Sequence, residues 1–131
     1  MIPRYRAWLK KEQKMDNDVD HISWLEDKLY CIGDGITYMV SAEDLELMQS
    51  TGLKDEFGKE LFEGDIIEWS YWDEFEDSGT AKIIFDKGMF KLLDIRTEKE
   101  VWDNLFDCIE NCNVFIQGNI YENQELLEAI K

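Results

Sequence analysis

The sequence predicts a mainly β fold: an N-terminal β layer, a C-terminal barrel or rolled sheet, one amphipathic helix and a short C-terminal helix. Three observations lead there. Apolar runs rich in β-branched and aromatic residues are short and bounded by Gly, Asp and Asn. From Leu53 onward, turn signals recur at roughly ten-residue spacing, the rhythm of a small barrel. Hydrophobic residues make up 44% of the 131 and aromatics 13%, enough to fill a core. The chain divides into residues 1–50, a β-rich segment, and residues 51–131, the barrel or roll, with no Pro/Gly/Ser linker between them.

Arg4-Tyr5-Arg6-Ala7-Trp8 alternates polar and apolar side chains, as a half-buried strand does. Lys10 to Asp20 is polar and reads as a loop. Leu29–Ile32 and Ile36–Val40 flank Gly33-Asp34-Gly35, a β-hairpin signal. Ser41–Asp44 fits either one helical turn or the lead-in to a strand at Leu45–Gln49. Turns at Phe57-Gly58 and Glu63-Gly64-Asp65 bracket Leu61-Phe62, and Ile66–Trp72 is β-rich. Ala81–Phe85 and Met89–Leu93 flank Asp86-Lys87-Gly88, a second hairpin. Thr97 and Glu100 have capping-box spacing ahead of Val101, Trp102, Leu105, Phe106 and Ile109, which share one helical face. Asn111 and Asn113 can end that helix, and Val114–Ile120 returns to β character. Asn123 is placed to cap a last helix, with Leu126, Leu127 and Ile130 turned inward.

Net charge is −16, unevenly spread. Residues 1–14 hold five basic groups against Glu12, a local net of +4, which leaves −20 on the rest. Such a surface repels phosphate, so neither direct nucleic-acid binding nor an acidic membrane is expected. Basic proteins suit it as partners. So does a sister copy whose acidic face takes the basic N-terminal stretch, although plain solubility also accounts for the charge. No apolar run reaches the ~20 residues of a membrane span, and Met1–Arg6 lacks a signal-peptide core. A cytoplasmic location is the expectation, and three cysteines imply reduced thiols rather than a disulfide framework.

No catalytic constellation emerges. His21, the one histidine, lies in a polar stretch. Cys108 and Cys112 stand four apart, but zinc would require Cys31 and His21 as well, and core packing is preferred. Asp16, Asp18 and Asp20 fit the start of a calcium loop, yet His21 stands where the sharp turn requires Gly and Asp27 where Glu belongs. Gly52 and Gly58-Lys59 fail as a phosphate loop: the spacing is one residue too long, and Glu60 replaces the Ser or Thr. Catalytic, metal and cofactor sites are therefore expected to be none. Trp69, Tyr71, Trp72, Asp73, Glu74, Phe75, Glu76 and Asp77 form an aromatic-acidic run suited to a protein interface or, equally, to a core strand followed by a solvated loop.

The run from Met48 to Ile66, read with Gly118-Asn119-Ile120-Tyr121-Glu122-Asn123 and with Arg4–Trp8, resembles the YopX family of phage and prophage proteins. The matching blocks lie at the start, middle and end, and the central one is the most specific. Gln124 departs from the Pro that often follows the Asn in that family. The resemblance implies an SH3-like barrel or roll in the C-terminal part and is compatible with a homo-oligomer. It implies no activity and transfers no catalytic residue. Its motif residues (Trp8, Gly52, Leu53, Asp55, Gly58, Gly64, Asp65, Gly118, Asn119, Tyr121, Glu122 and Asn123) read as structural: the glycines permit positive φ and Asp65 bonds turn amides. The functional expectation is a non-enzymatic phage or prophage accessory protein acting in the host cytosol by protein contact or self-assembly. An acidic nucleic-acid mimic is the alternative, and a metal-assisted enzyme using Asp16–Asp20 or the cysteine pair is least favoured.

Overall fold

The computed structural model describes residues 4–25, 28–33, 36–71 and 78–128. They are mainly β, in two compact units, Met1–Ser50 and Thr51–Lys131.

In the first unit, β1 (Tyr5–Leu9), β2 (Lys14–Leu25), β3 (Lys28–Gly33), β4 (Ile36–Ser41) and β5 (Leu45–Lys54) form an antiparallel sheet in the order β4-β3-β2-β1-β5. The expected hairpin is present as β3 and β4, closed at Gly33↔Ile36, while the turn at 34–35 lies outside the described residues. Both readings of Ser41–Asp44 hold in part. Ala42–Asp44 makes one 3-10 turn and β5 begins at Leu45.

Two expectations are corrected here. Lys10 to Asp20 is not a loop: only Lys10–Gln13 turns, and β2 is a twelve-residue strand. Pairing with β1 on one side and β3 on the other overrides its poor β propensity. β1 is also not half-buried by alternation. Arg6, Ala7 and Trp8 are all buried, because the strand is bonded along both edges and shielded on both faces. Within the basic N-terminal stretch, residues 5–9 lie in β1 and 10–13 in a turn. Lys10 pairs with Glu46 at 3.0 Å and Lys11 with Asp44 at 3.4 Å, exposed contacts that add little stability. Ala7, Val19 and Leu45 make the buried cluster, flanked by Tyr5, Leu9 and Leu47.

β5 runs on past Ser50, and β6 (Glu60–Phe62) is next in order beside it. A second antiparallel sheet, curled as a half-barrel, has the order β10-β9-β8-β7-β11. Its strands are β7 (Asp65–Tyr71), β8 (Ser78–Asp86), β9 (Met89–Asp94), β10 (Glu100–Val101) and β11 (Cys112–Asn119). The β8–β9 hairpin turns through Lys87 and Gly88, both at positive φ (53° and 81°), the geometry of a type I′ turn. Two short helices complete the unit, α1 (Leu105–Asn111) and α2 (Gln124–Glu128).

The amphipathic helix starts later than its sequence signal. Thr97 lies in a turn held by Asp94, whose Oδ1 accepts from Arg96 and Thr97 amides at 2.8 and 3.1 Å. Glu100 and Val101 pair with Leu93 and Leu92, and Trp102 takes φ 65°. The true cap is Asn104, whose Oδ1 accepts from the Asp107 amide at 2.9 Å. Sheet pairing therefore claims the residues that capping-box spacing assigns to the helix.

Leu61, Ile67, Ala81, Ile83, Leu92, Leu105, Cys108 and Val114 belong to the unit's core. Trp69 lies across Gly79 on the neighbouring strand: a Cβ there would sit 2.9 Å from the indole ring. Gly79→Ala is expected to cost about 1–3 kcal/mol by overpacking, read as a lower urea midpoint at unchanged slope.

Candidate functional site

Most of the motif residues gather at three turn-bracing sites. Asp55, 8% exposed, follows directly on β5. Its Oδ1 accepts the Phe57 and Lys59 amides, both at 2.9 Å, and its Oδ2 accepts the Ile116 amide at 3.2 Å. The adjacent Glu56 amide donates to the Val114 carbonyl at 2.9 Å. Residues 55–56 thus occupy part of the outer side of β11, whose other side pairs with β7. They act on that edge as a short pseudo-strand. Gly58 closes the turn at φ 81°, with its amide on the Asp55 carbonyl at 3.0 Å.

At the second site, Gly64 bridges elements through its backbone. Its amide donates to Ile83 at 2.8 Å and its carbonyl accepts from Ile120 at 3.0 Å. Asp65, 2% exposed, accepts the Phe62 amide at 2.8 Å. At the third, Asn119 Oδ1 accepts the Tyr121 and Glu122 amides at 3.0 and 2.8 Å, and its Nδ2 donates to Glu122 Oε1 at 3.1 Å. The Asn123 side chain accepts from the Asn119 amide at 3.1 Å. It can do so because Gly118 has no Cβ, which would lie 2.4 Å from Asn123 Oδ1. Gly52, like Gly58 and Gly64, has positive φ, Leu53 packs against the core and Trp8 is buried in β1.

Trp69 is buried in the core. Its ring meets Trp102 at 5.6 Å and Tyr71 at 6.1 Å, both edge-on, and Tyr71 meets Trp102 at 5.5 Å. The three rings pack edge-on or tilted against one another. Trp72, Asp73, Glu74, Phe75, Glu76 and Asp77 lie outside the described residues. His21 and the Asp16–Asp20 run lie on β2, an extended backbone that cannot wrap an ion as a calcium loop does. Among the described residues no three His, Cys, Asp or Glu side chains gather as metal ligands. Cys108 and Cys112 are buried free thiols in side-chain hydrogen-bond contact, and burial pushes the Cys108 thiol up from 9.0 to about 12, with help from Cys112. A depression of about 250 Å³ is lined by Glu68, Ser78, Gly79, Thr80, Asp94 and Arg96. Asp94 there is already engaged by turn amides.

The exposed apolar residues escape sequence reasoning. Phe57 is 76% exposed and packs on Phe115 at 5.2 Å; the hairpin tip carries Phe85 against Phe90 at 5.0 Å, beside exposed Met89. Phe106 projects from α1. The available signal was an aromatic in a Gly turn (Phe57) and apolar residues flanking a hairpin turn.

The described residues make a mainly β fold braced by buried turn carboxylates and amides. The chain belongs to the YopX protein family, which matches residues 4–128. Among solved structures it is similar to protein EF1440 from Enterococcus faecalis, with 27% identity, TM-score 0.70, and 97% of this chain and 99% of that one covered. It shares its fold with protein yopX from Bacillus subtilis, at 19% identity, TM-score 0.61, and 93% and 95% coverage. No curated protein matches. No helix among the described residues is long and apolar enough to cross a membrane.

Asp55→Ala orphans three amides and is expected to cost about 2–4 kcal/mol in denaturant titration, with Asp55→Asn, which keeps one carbonyl acceptor, falling between it and the wild type. The Cys108 thiol is held protonated in the folded state beyond its unfolded value. Its contribution is complete below about pH 9 and is lost as pH rises toward about 12. Melting temperature is expected to fall across that window, less steeply in Cys108→Ala than in wild type.

Proposed function

We propose that the chain is a non-enzymatic accessory protein of a phage or prophage, working in the cytosol of a bacterial host by contact with another protein or with itself. The observation that carries this reading is the set of exposed aromatic side chains, led by Phe57 on the turn that Asp55 braces. Rigid exposed aromatics lose little entropy when buried by a partner, which makes them effective anchors. The polar motif residues support it from the other direction, since most of their described hydrogen bonds go to backbone amides of the chain itself. The acidic surface favours a partner of opposite charge or a contact that avoids charge altogether.

Light scattering after gel filtration and a pull-down from host cells test the reading together. A strict monomer at high concentration that captures nothing overturns it. Phe57→Ser is expected to leave stability within ~0.5 kcal/mol while weakening capture or assembly.

A second reading rests on the charge alone: an acidic mimic that occupies the site of a nucleic-acid backbone on a host protein. It requires binding to a DNA-acting protein that weakens steeply with salt, and no such binding at low salt removes it.

A further inference from the structure

We infer that the outward face of α1 docks an arginine-bearing segment of another protein, with the Phe106 ring as its platform and the acids beside it as counter-charges. This rests on the reading of the chain as a contact protein and names the face and the partner's chemistry. α1 turns Leu105 and Cys108 into the core and leaves Phe106 55% exposed. Phe is a poorer helix former than Ala, Gln or Lys, and its ring stays in water here, so neither propensity nor packing accounts for it. Glu110, one turn on, shares its side of the helix, and Asp103 stands just before the Asn104 cap. Both acids are exposed, and no ion pair among the described residues neutralises them. Asp107, half-buried, takes the Asn104 side-chain amide at 3.3 Å.

Two features set these acids apart from a merely solvated surface. Residues 100–130 hold seven acids and no Lys, Arg or His, so the surrounding chain supplies no neutralising base. Glu110 also lies in the last turn of α1, which has no basic residue, where the helix dipole favours Lys or Arg. Its placement works against the helix and is not explained by folding. Charge then selects the occupant. A second copy brings a net −16, and its Lys10 and Lys11 already pair with Glu46 and Asp44 of its own chain. Nucleic acid is repelled by the same acids. A cationic side chain fits: it is drawn to the face of the Phe106 ring, and its N–H groups donate to Glu110 or Asp103. Arginine suits this better than lysine, because a planar guanidinium stacks on a ring and bonds a carboxylate with two N–H groups at once.

Titration of the full chain with the peptide acetyl-Leu-Arg-Leu-Arg-Leu-amide, followed by amide NMR shifts and repeated with its Lys and Glu counterparts, tests this. The Arg peptide is expected to shift the amides of residues 103–111 saturably, more tightly than the Lys peptide and less tightly as salt rises, while the Glu peptide leaves them unmoved. Phe106→Ala and Glu110→Lys are each expected to weaken binding about tenfold or more. Glu110→Lys is expected to keep or raise the melting temperature, because Lys suits a helix C-terminus, so lost binding is separated from lost folding. Glu68→Lys, the same charge change on β7, binds the peptide within about twofold of wild type. No saturable shift at α1, shifts spread over the whole acidic surface, or binding indifferent to Phe106→Ala and Glu110→Lys each overturn the inference. Equal binding of the Lys peptide overturns arginine as the side chain recognised. In every such case, self-assembly or host-protein capture that Phe57→Ser weakens leaves the contact reading standing, and absence of both removes that reading as well.

Discussion

One buried carboxylate sets the conditions for much of the C-terminal unit. Asp55 receives two amides of its own turn and one from β11, sixty-one residues away in sequence. A carboxylate accepts several donors at once, and charge-assisted bonds are stronger than neutral ones. The tight turn after β5, the outer side of β11 and the display of Phe57 are therefore one arrangement. Without it, the Phe57, Lys59 and Ile116 amides would need other acceptors, and water is scarce around a residue so buried.

The same economy recurs at Gly64-Asp65 and at Asn119–Asn123. In each, a short polar side chain takes amides near it in sequence, and a glycine allows the chain to turn or approach closely. The residues by which the chain resembles its family are thus spent on its own backbone. Family membership and fold follow from them directly. Between these braces the described surface carries exposed aromatics, and the sequence a dense negative charge.

Turn chemistry made much of this legible in advance. Gly33-Asp34-Gly35 and Asp86-Lys87-Gly88 marked two hairpins, both present as paired strands. Glu63-Gly64-Asp65 marked the entry to β7, and the structural reading of Asp65 and Asn119 rested on the same local rules. β2 was not legible, because its polar residues prefer loops in isolation and are held extended by two neighbouring strands. The helix start was misplaced for a related reason: β9 pairs with Glu100 and Val101 before they can enter a helical turn. Trp69 could be read as rim or core, and only its position over Gly79 against Trp102 makes it core.

Local sequence by itself determined the β class, the principal turns, the charge imbalance and the family, because positive φ, short polar acceptors and alternation act over a few residues and leave a local signature. The tertiary structure decided which described strands lie at edges, where the helix begins, and which aromatics face solvent. Those outcomes depend on hydrogen bonds and packing between residues far apart in the chain. The Asp55 carboxylate on the Ile116 amide is the plainest case, since nothing within several residues of either one announces the other.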